Sequence, residues 1–434
     1  MGERQSGWGG RPVYVVDGSR TPFLKARGKP GPFAAADLAV AAGRPLLARV
    51  PFAASDLDEV ILGCMMPSPF EANIGRVAAL RLGCGDRVPG WTVQRNCASG
   101  MQSIDSAAQN IASGRSSLVL AGGVESMSRS PILYNDTMVN WLSAMAAART
   151  PGAKLKTLAT LRPRHFKPVI ALLHGLTDPV VGLSMGQTAE ILAHRFGITR
   201  EMMDAFALRS HQRLDAAQQA GHLDEIEPLY DTRGNVYAHD DGVRPDSTLE
   251  KLGKLRPVFD RHIGNVTAGN SAQITDGAAW VLLASEDMLE KHKLTPMGQL
   301  IDSQWAGLDP AQMGLGPDYA MAPIMQRHGL DSGDIDYYEI NEAFAAQVLA
   351  CLAAWKDADF CRDELGRDTP FSPINEARLN VDGGGVAVGH PVGTSGARIV
   401  LHVLKVLHRE NAKRGMASIC IGGGQGGAML IERI

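Results

Sequence analysis

The chain is short of cysteine pairs, of net charge and of long apolar runs, and each shortage removes a class of function. Its six cysteines, Cys64, Cys84, Cys97, Cys351, Cys361 and Cys420, are scattered through 434 residues with no CxxC pair. A disulfide framework or structural zinc would need closer spacing, so the expectation is a reduced, cytoplasmic protein without structural zinc. The formal net charge of -3 lacks the basic excess of a nucleic-acid binder. No apolar run reaches the roughly 18 residues of a membrane span. The opening MGERQSGWGGRPVYVV has no secretory apolar region and soon enters a strand-like run. A 45% hydrophobic and 21% charged composition is that of a globular protein, and the length calls for two or three domains.

Glycine is abundant instead. The 48 glycines gather in short runs beside apolar segments, where strands turn or backbone must approach a ligand closely. These runs belong to a theme that occurs twice. In the first half, Asp56 to Gly63 runs into a short apolar strand, and a helix-like segment leads to Thr92-Val93-Gln94. Arg95-Asn96-Cys97 follows, then a small-residue helix from Ser99 to Ser113, a strand Ser117–Ala121 and a turn at Gly122-Gly123. In the second half, Asp334 to Asn341 leads into a helix from Ala343 to Trp355. Later come Val386-Ala387-Val388-Gly389-His390, a helix from Ser395 to Arg409, a strand Met416–Cys420 and Gly422-Gly423-Gly424. Strands alternating with helices of this length predict a layered α/β fold, and the recurring order predicts a duplicated unit.

Between the halves the texture changes. Residues 124 to about 250 read as a mostly helical excursion, with a polar helix over 201–225 and Thr199 as its N-cap. From Thr137 to Thr177 there are six Lys or Arg and no Asp or Glu, interleaved with Trp141, Leu142, Leu155, Phe166 and Leu173. A packed lid is the plain reading. A surface for a phosphate-bearing substrate, a partner subunit or, less favoured, an anionic membrane face is the sharper one.

Four residues stand where chemistry is expected. Cys97 precedes a helix whose free N–H groups and dipole favour a thiolate, which predicts a lowered pKa; the bland alternative is a buried structural cysteine. His390, in Gly389-His390-Pro391, sits on a tight loop between strand and helix and could take the thiol proton. Cys420 precedes the run Gly422-Gly423-Gly424, whose N–H groups suit an oxyanion, and its own thiol suits acid–base work. Asn341 follows a strand and could orient water or an imidazole, or simply cap a helix. All four are expected at corresponding strand ends of the two repeated units, where open α/β sheets collect ligands.

Taken together, these residues resemble the thiolase family. The resemblance runs from Ser19-Arg20-Thr21-Pro22-Phe23 to Ile434. Its marks are Asn96-Cys97-Ala98-Ser99-Gly100, Gly122-Gly123-Val124-Glu125-Ser126-Met127-Ser128, Asn341-Glu342-Ala343-Phe344-Ala345, Gly389-His390-Pro391 and Cys420-Ile421-Gly422-Gly423-Gly424-Gln425-Gly426. It implies a five-layered αβαβα core from two duplicated domains with an inserted loop domain. The expected boundaries are 1–125 completed by about 251–295, then 126–250 for the insertion and 296–434 for the second domain. It implies a homodimer or homotetramer acting on 3-ketoacyl-CoA with coenzyme A as co-substrate and no metal. By position, Cys97 would carry the acyl group, His390 would activate it, and Cys420 would protonate the departing enolate. The amides of Cys97 and Gly422 would form one oxyanion hole, and His390 with a water held by Asn341 the other. Met185, Ser271 and Ala272 are the candidate CoA contacts.

The basic insertion and the stretch Gly182 to Glu190 resemble the thiolase subunits of fatty-acid oxidation complexes, whose partner subunit carries hydratase and dehydrogenase activities. Two positions depart from that subgroup or its relatives. Asn341 stands where those subunits commonly have His, and Ala272 stands where short-chain biosynthetic enzymes often have a serine, with Ser271 beside it. Degradative thiolysis is the expected direction, and condensation of two acetyl-CoA the alternative. A decarboxylating ketoacyl synthase and a non-catalytic lipid-binding scaffold are the rival classes.

Overall fold

Strand-forming runs from both ends of the chain meet in one sheet. In the computed structural model, which describes residues 7–434, the first part of the chain supplies β1 (Val13–Arg20), β2 (Leu24–Lys25), β3 (Glu59–Gly63), β4 (Gly90–Val93) and β5 (Leu118–Ser126). The first six residues of the opening segment lie outside the described residues. In the insertion β6 (Ile132–Tyr134) pairs with β7 (Pro168–Ile170), and β8 (Leu229–Tyr230) with β9 (Val236–Tyr237). The chain then returns with β10 (Thr275–Ala284), β11 (Gly298–Gly307), β12 (Tyr337–Ile340), β13 (Arg414–Ile421) and β14 (Gln425–Arg433). The order across the sheet is β12-β13-β14-β11-β1-β10-β5-β3-β4, with β2 beside β10.

This order contains the same unit twice. β3 runs parallel to β5, which pairs antiparallel with β10, which pairs antiparallel with β1. In the same way β12 runs parallel to β13, β13 antiparallel to β14, and β14 antiparallel to β11. The two units join where Val13–Val15 of β1 meet Gly298–Leu300 of β11. The echo in the sequence is a duplication.

Three apolar cores separate five layers. The helices Ala35–Ala48 and Ile74–Arg81 bury Leu38, Leu46 and Ile74 against Val60, Leu120 and Leu282. On the far side, Gly316–Arg327 and Ala345–Ala354 bury Met321, Ile324 and Val348 with Ile340 and Leu430. Between the two halves lie Ser99–Ala112 and Val392–Arg409, whose Met101, Ile104, Ile399 and Val400 share a core with Val119, Val281, Ile419 and Met429. A helix buried on all sides needs apolar or small residues all round, and Val392–Arg409 is buried from Val392 through Leu404. The result is an αβαβα stack.

The two central helices approach closely because glycine lines their crossing. A Cβ on Gly100 would lie 2.9 Å from both Ala397 N and Gly393 O, and one on Gly396 would lie 2.6 Å from Met101 N. This approach corrects the reading of Gly122-Gly123 as a turn. β5 runs straight through both, because a Cβ on Gly122 would meet Ala279 O at 2.2 Å and one on Gly123 would meet Gly393 O at 2.1 Å. Glycine serves close packing there, not chain reversal. A second expectation also fails. Val386–Val388 is part of a helical turn, Gly385–Val388, so His390 lies between two helices.

The insertion is mainly helical as expected. Its longest helix, Arg200–Ala220, starts where the Thr199 side chain accepts from Met202 N and stops at Gly221 in the left-handed region, φ 71°. The predicted extension to residue 225 is absent, since a glycine in that conformation terminates a helix. No helix among the described residues is long and apolar enough to cross a membrane.

Candidate active site

Each candidate side chain is delivered by the end of a regular element. Cys97 lies between β4 and the central helix Ser99–Ala112. Asn96 before it takes a left-handed conformation, φ 43°, and its side-chain amide donates to Gly422 O at 2.8 Å. Asparagine tolerates that backbone better than most residues. Gly422 opens the reversal between β13 and β14, where Gly423 and Gly424 have φ 94° and 73°. Cys420 is the penultimate residue of β13. His390 precedes the other central helix, and its N–H donates to Gln273 O at 3.0 Å.

These elements enclose a cavity of about 560 Å³. Cys97, His390 and Cys420 all line it, as do Met185, Ser271 and Ala272. Its walls are largely apolar, with Leu173, Leu176, Val258, Phe259, Met313 and Phe344, while Lys25 and Arg244 add positive charge. Gly422 and Asn341 are not among the lining residues. Gly422 is beside Met185, since a Cβ there would lie 3.1 Å from Met185 Sδ. The N–H groups of Gly422 and Cys97 both act on the Cys97 thiol and lower it.

The electrostatics correct one expectation. Cys97 is not held as a thiolate. Burial pushes its thiol above the ordinary 9.0, and the N–H groups of Gly422 and Cys97 pull it only part of the way back. Desolvation outweighs the helix end here. Burial pushes Cys420 up as well, helped by the neighbouring Cys97. Burial and nearby Arg398 drive His390 down to about 4, so it is neutral at physiological pH. The resting pair is therefore a thiol and a neutral imidazole.

His390 is oriented as a base. Its Nδ1 lies 2.6 Å from Ser395 Oγ, and that hydroxyl donates to Pro391 O at 3.2 Å. With the hydroxyl proton so used, Nδ1 carries the ring proton and Nε2 keeps its lone pair. Nε2 is buried and makes no hydrogen bond among the described residues.

The alternative role of Asn341 as a helix cap does not hold. Phe344 is the N-cap residue of Ala345–Ala354, and the fully buried Asn341 amide leaves both Nδ2 and Oδ1 without a partner among the described residues. Its segment is fixed by Glu342, which accepts from Ser210 Oγ at 2.7 Å, Asn380 Nδ2 at 2.8 Å and Val386 N at 3.2 Å. The stretch carrying Ser271 and Ala272 is held against this segment, Ala272 N donating to Ala343 O at 2.9 Å. The Ser271 hydroxyl is already engaged, donating to Thr267 O at 2.7 Å.

Residues 13–287 match the family description "Thiolase, N-terminal domain" and residues 294–433 "Thiolase, C-terminal domain". The chain belongs to the thiolase family. Among thiolases, it is 36% identical to a 3-ketoacyl-CoA thiolase of Yersinia enterocolitica over 423 residues, 97% of this chain and 96% of that protein. The human mitochondrial 3-ketoacyl-CoA thiolase solved in complex with CoA superposes with a TM-score of 0.83 at 35% identity, covering 100% of both chains. The acetyl-CoA acetyltransferase of Bacillus anthracis gives 0.84 at 34% identity, again over 100% of both.

Sequence reasoning gave no role to Ser395, to Glu125 or to the side chain of Asn96 in this thiolase site. Only Glu125 carried a signal, as an acidic residue inside an otherwise apolar and small run.

Proposed function

We propose that this protein is a 3-ketoacyl-CoA thiolase, an acyltransferase that cleaves 3-ketoacyl-CoA with CoA. The observation that carries this reading is the meeting of Cys97, His390 and Cys420 around one cavity. Full-length similarity to 3-ketoacyl-CoA thiolases supports it.

The proposed steps follow from the protonation states. His390 Nε2 takes the Cys97 proton as the sulfur attacks the 3-keto carbon, so charge separates only when substrate is present. The bond between C2 and C3 breaks, leaving the acyl group on Cys97 and an acetyl-CoA enolate that Cys420 protonates. A CoA thiol, losing its proton to Cys420, then attacks the thioester, and His390 returns its proton to the released Cys97 sulfur. The amides of Cys97 and Gly422 stabilise the oxyanion of the thioester exchange, while His390 and a water held by Asn341 serve the enolate oxygen. One lost donor of this kind costs about 3 kcal/mol, roughly a hundredfold in rate. The same groups run condensation in reverse.

Met185, Ala272 and Ser271 are read as walls for the pantetheine arm, Ser271 by shape since its hydroxyl donates to Thr267 O. Residues 126–250 are read as a loop domain serving acyl-CoA. Leu173, Leu176 and Thr177, at the end of the basic insertion, line the same cavity as Cys97, which favours substrate contact for that end. A dimer or larger homo-oligomer is supported by the open edge of β4, where Trp91 is exposed, because an unpaired edge invites another chain. A cytoplasmic setting and a hydratase/dehydrogenase partner belong to the same reading. The test is thiolysis of purified protein across C4 to C16 3-ketoacyl-CoA. Cleavage with CoA supports the assignment; decarboxylation of a malonyl thioester without thiolysis replaces it with a ketoacyl synthase.

A further inference from the structure

Glu125 is a fully buried carboxylate at the end of β5, on the side where the two halves meet. Its two oxygens collect four donors. Oε2 accepts from Met65 N at 2.9 Å and Gly393 N at 3.0 Å. Oε1 accepts from Met66 N at 3.1 Å and faces Cys64 Sγ at 3.5 Å. A carboxylic acid would bring its own proton against one of these donors, so the set fits the ionised form. Burial raises the carboxyl above its ordinary 4.5, and the N–H groups of Met65, Met66 and Gly393 pull it only part of the way back.

The donors come from opposite halves of the duplicated core. Cys64 to Met66 follow β3, whereas Gly393 is in the first turn of the helix that begins two residues after His390. Contact is so close that a Cβ on Gly393 would lie 2.7 Å from Glu125 Oε2 and 3.0 Å from Cys64 Cα. Glu125 also raises the Cys97 thiol electrostatically, as the smallest of the causes that burial leads. The carboxylate therefore holds the His390 segment against the half that carries Cys97 and puts fixed negative charge near the sulfur.

We propose that Glu125 is a positioning residue of the reaction site: it sets the approach of the His390 segment to Cys97 and adds negative charge on that side of the thiol. This rests on the thiolase reading for its kinetic consequence, but not for its effect on the thiol. Glu125 from β5 acts on the Cys97 thiol electrostatically, Cys97 acts likewise on Cys420 from β13, and His390 from its loop lines the same cavity.

The test compares the whole protein with Glu125→Gln and Glu125→Asp, using thiolysis kinetics and iodoacetamide alkylation of Cys97 followed by peptide mass spectrometry as a function of pH. In Glu125→Gln, kcat should fall by roughly tenfold to a hundredfold, as small misplacements of reacting groups do. KM for CoA should change less than about twofold, since Glu125 is not among the cavity walls. The alkylation midpoint should move to lower pH, because a negative neighbour has been removed. Glu125→Asp keeps the charge on a shorter arm, so its kcat should fall while its midpoint stays with the parent. A folded Glu125→Gln with parental kcat, or with an unmoved midpoint, overturns the proposal. Should Glu125→Gln fail to fold, Glu125→Asp decides alone: parental kcat or a lowered midpoint overturns it. Alkylation needs no acyl-CoA, so a missing thiolase activity in the parent would count against the thiolase reading and leave the thiol result standing.

Discussion

The side-chain amide of Asn96 donates to the carbonyl of Gly422 at 2.8 Å, tying the residue before Cys97 to the reversal that follows Cys420. The bond joins the two halves and fixes the carbonyl side of the glycine whose N–H acts on the Cys97 thiol. Asn96→Asp keeps the size but removes the donor and places a carboxylate oxygen against a carbonyl. We expect kcat for thiolysis to fall by about a hundredfold, the scale of losing one oxyanion donor, with CoA binding by calorimetry little changed. Parental kcat in the folded variant would show that Gly422 is positioned without Asn96.

The pH profile should reflect a neutral pair. His390 stays unprotonated until pH falls to about 4, and the Cys97 thiol ionises above its ordinary 9.0. Cys97 alkylation in the free enzyme should rise through alkaline pH with no plateau near pH 7, and thiolysis should lose its base only on the acid side. Folding carries the matching sign for His390. Its value falls from 6.5 to about 4, so the unfolded chain binds the proton more readily and stability declines as pH drops from about 6.5 through 4. An alkylation plateau reached by pH 7 would mean a preformed ion pair.

His402 predicts the opposite limb. Burial alone would lower its value, but Glu225 at 3.1 Å and Asp382 at 3.2 Å outweigh it and raise it to about 10. Its contribution is complete below about 6.5 and lost as pH rises through 10. Thermal unfolding followed from pH 7 to pH 10.5 should show a falling Tm, and His402→Gln should be less stable at pH 7 with a shallower decline. Equal slopes in the two proteins would remove His402 from the alkaline limb.

Much of this was legible in the sequence and some could not be. The duplication was visible because reactive residue, helix, strand and glycine run recur in order, and β3 to β5 repeat as β12 and β13. Gly122 and Gly123 misled because a strand packed against other backbone needs glycine as much as a turn does; only the position of Gly393 O separates the two cases. The state of Cys97 misled for a related reason. A helix N-terminus can be read from local sequence, whereas the burial that outweighs it comes from residues up to Cys420. Ser395 was missed because a serine in a helix's first turn is ordinary until an imidazole is seen beside it.

The insertion's contact with the cavity leads to a specificity prediction. Leu176 lines the same space as Phe259 and Phe344. Leu176→Trp should obstruct it, raising KM for C12 to C16 substrates by about tenfold or more while acetoacetyl-CoA thiolysis stays within about twofold; losing access to even a few buried methylenes at about 0.8 kcal/mol each is enough. A uniform change at every chain length would put the acyl chain elsewhere.

The most direct test asks which atom carries the acyl group. Acetoacetyl-CoA should be mixed with the enzyme without free CoA, quenched in acid and analysed by peptide mass spectrometry. An acetyl group on Cys97, absent in Cys97→Ala together with all thiolysis, is the result expected. Acetylation of Cys420 or any other residue instead, or undiminished thiolysis by Cys97→Ala, would contradict it.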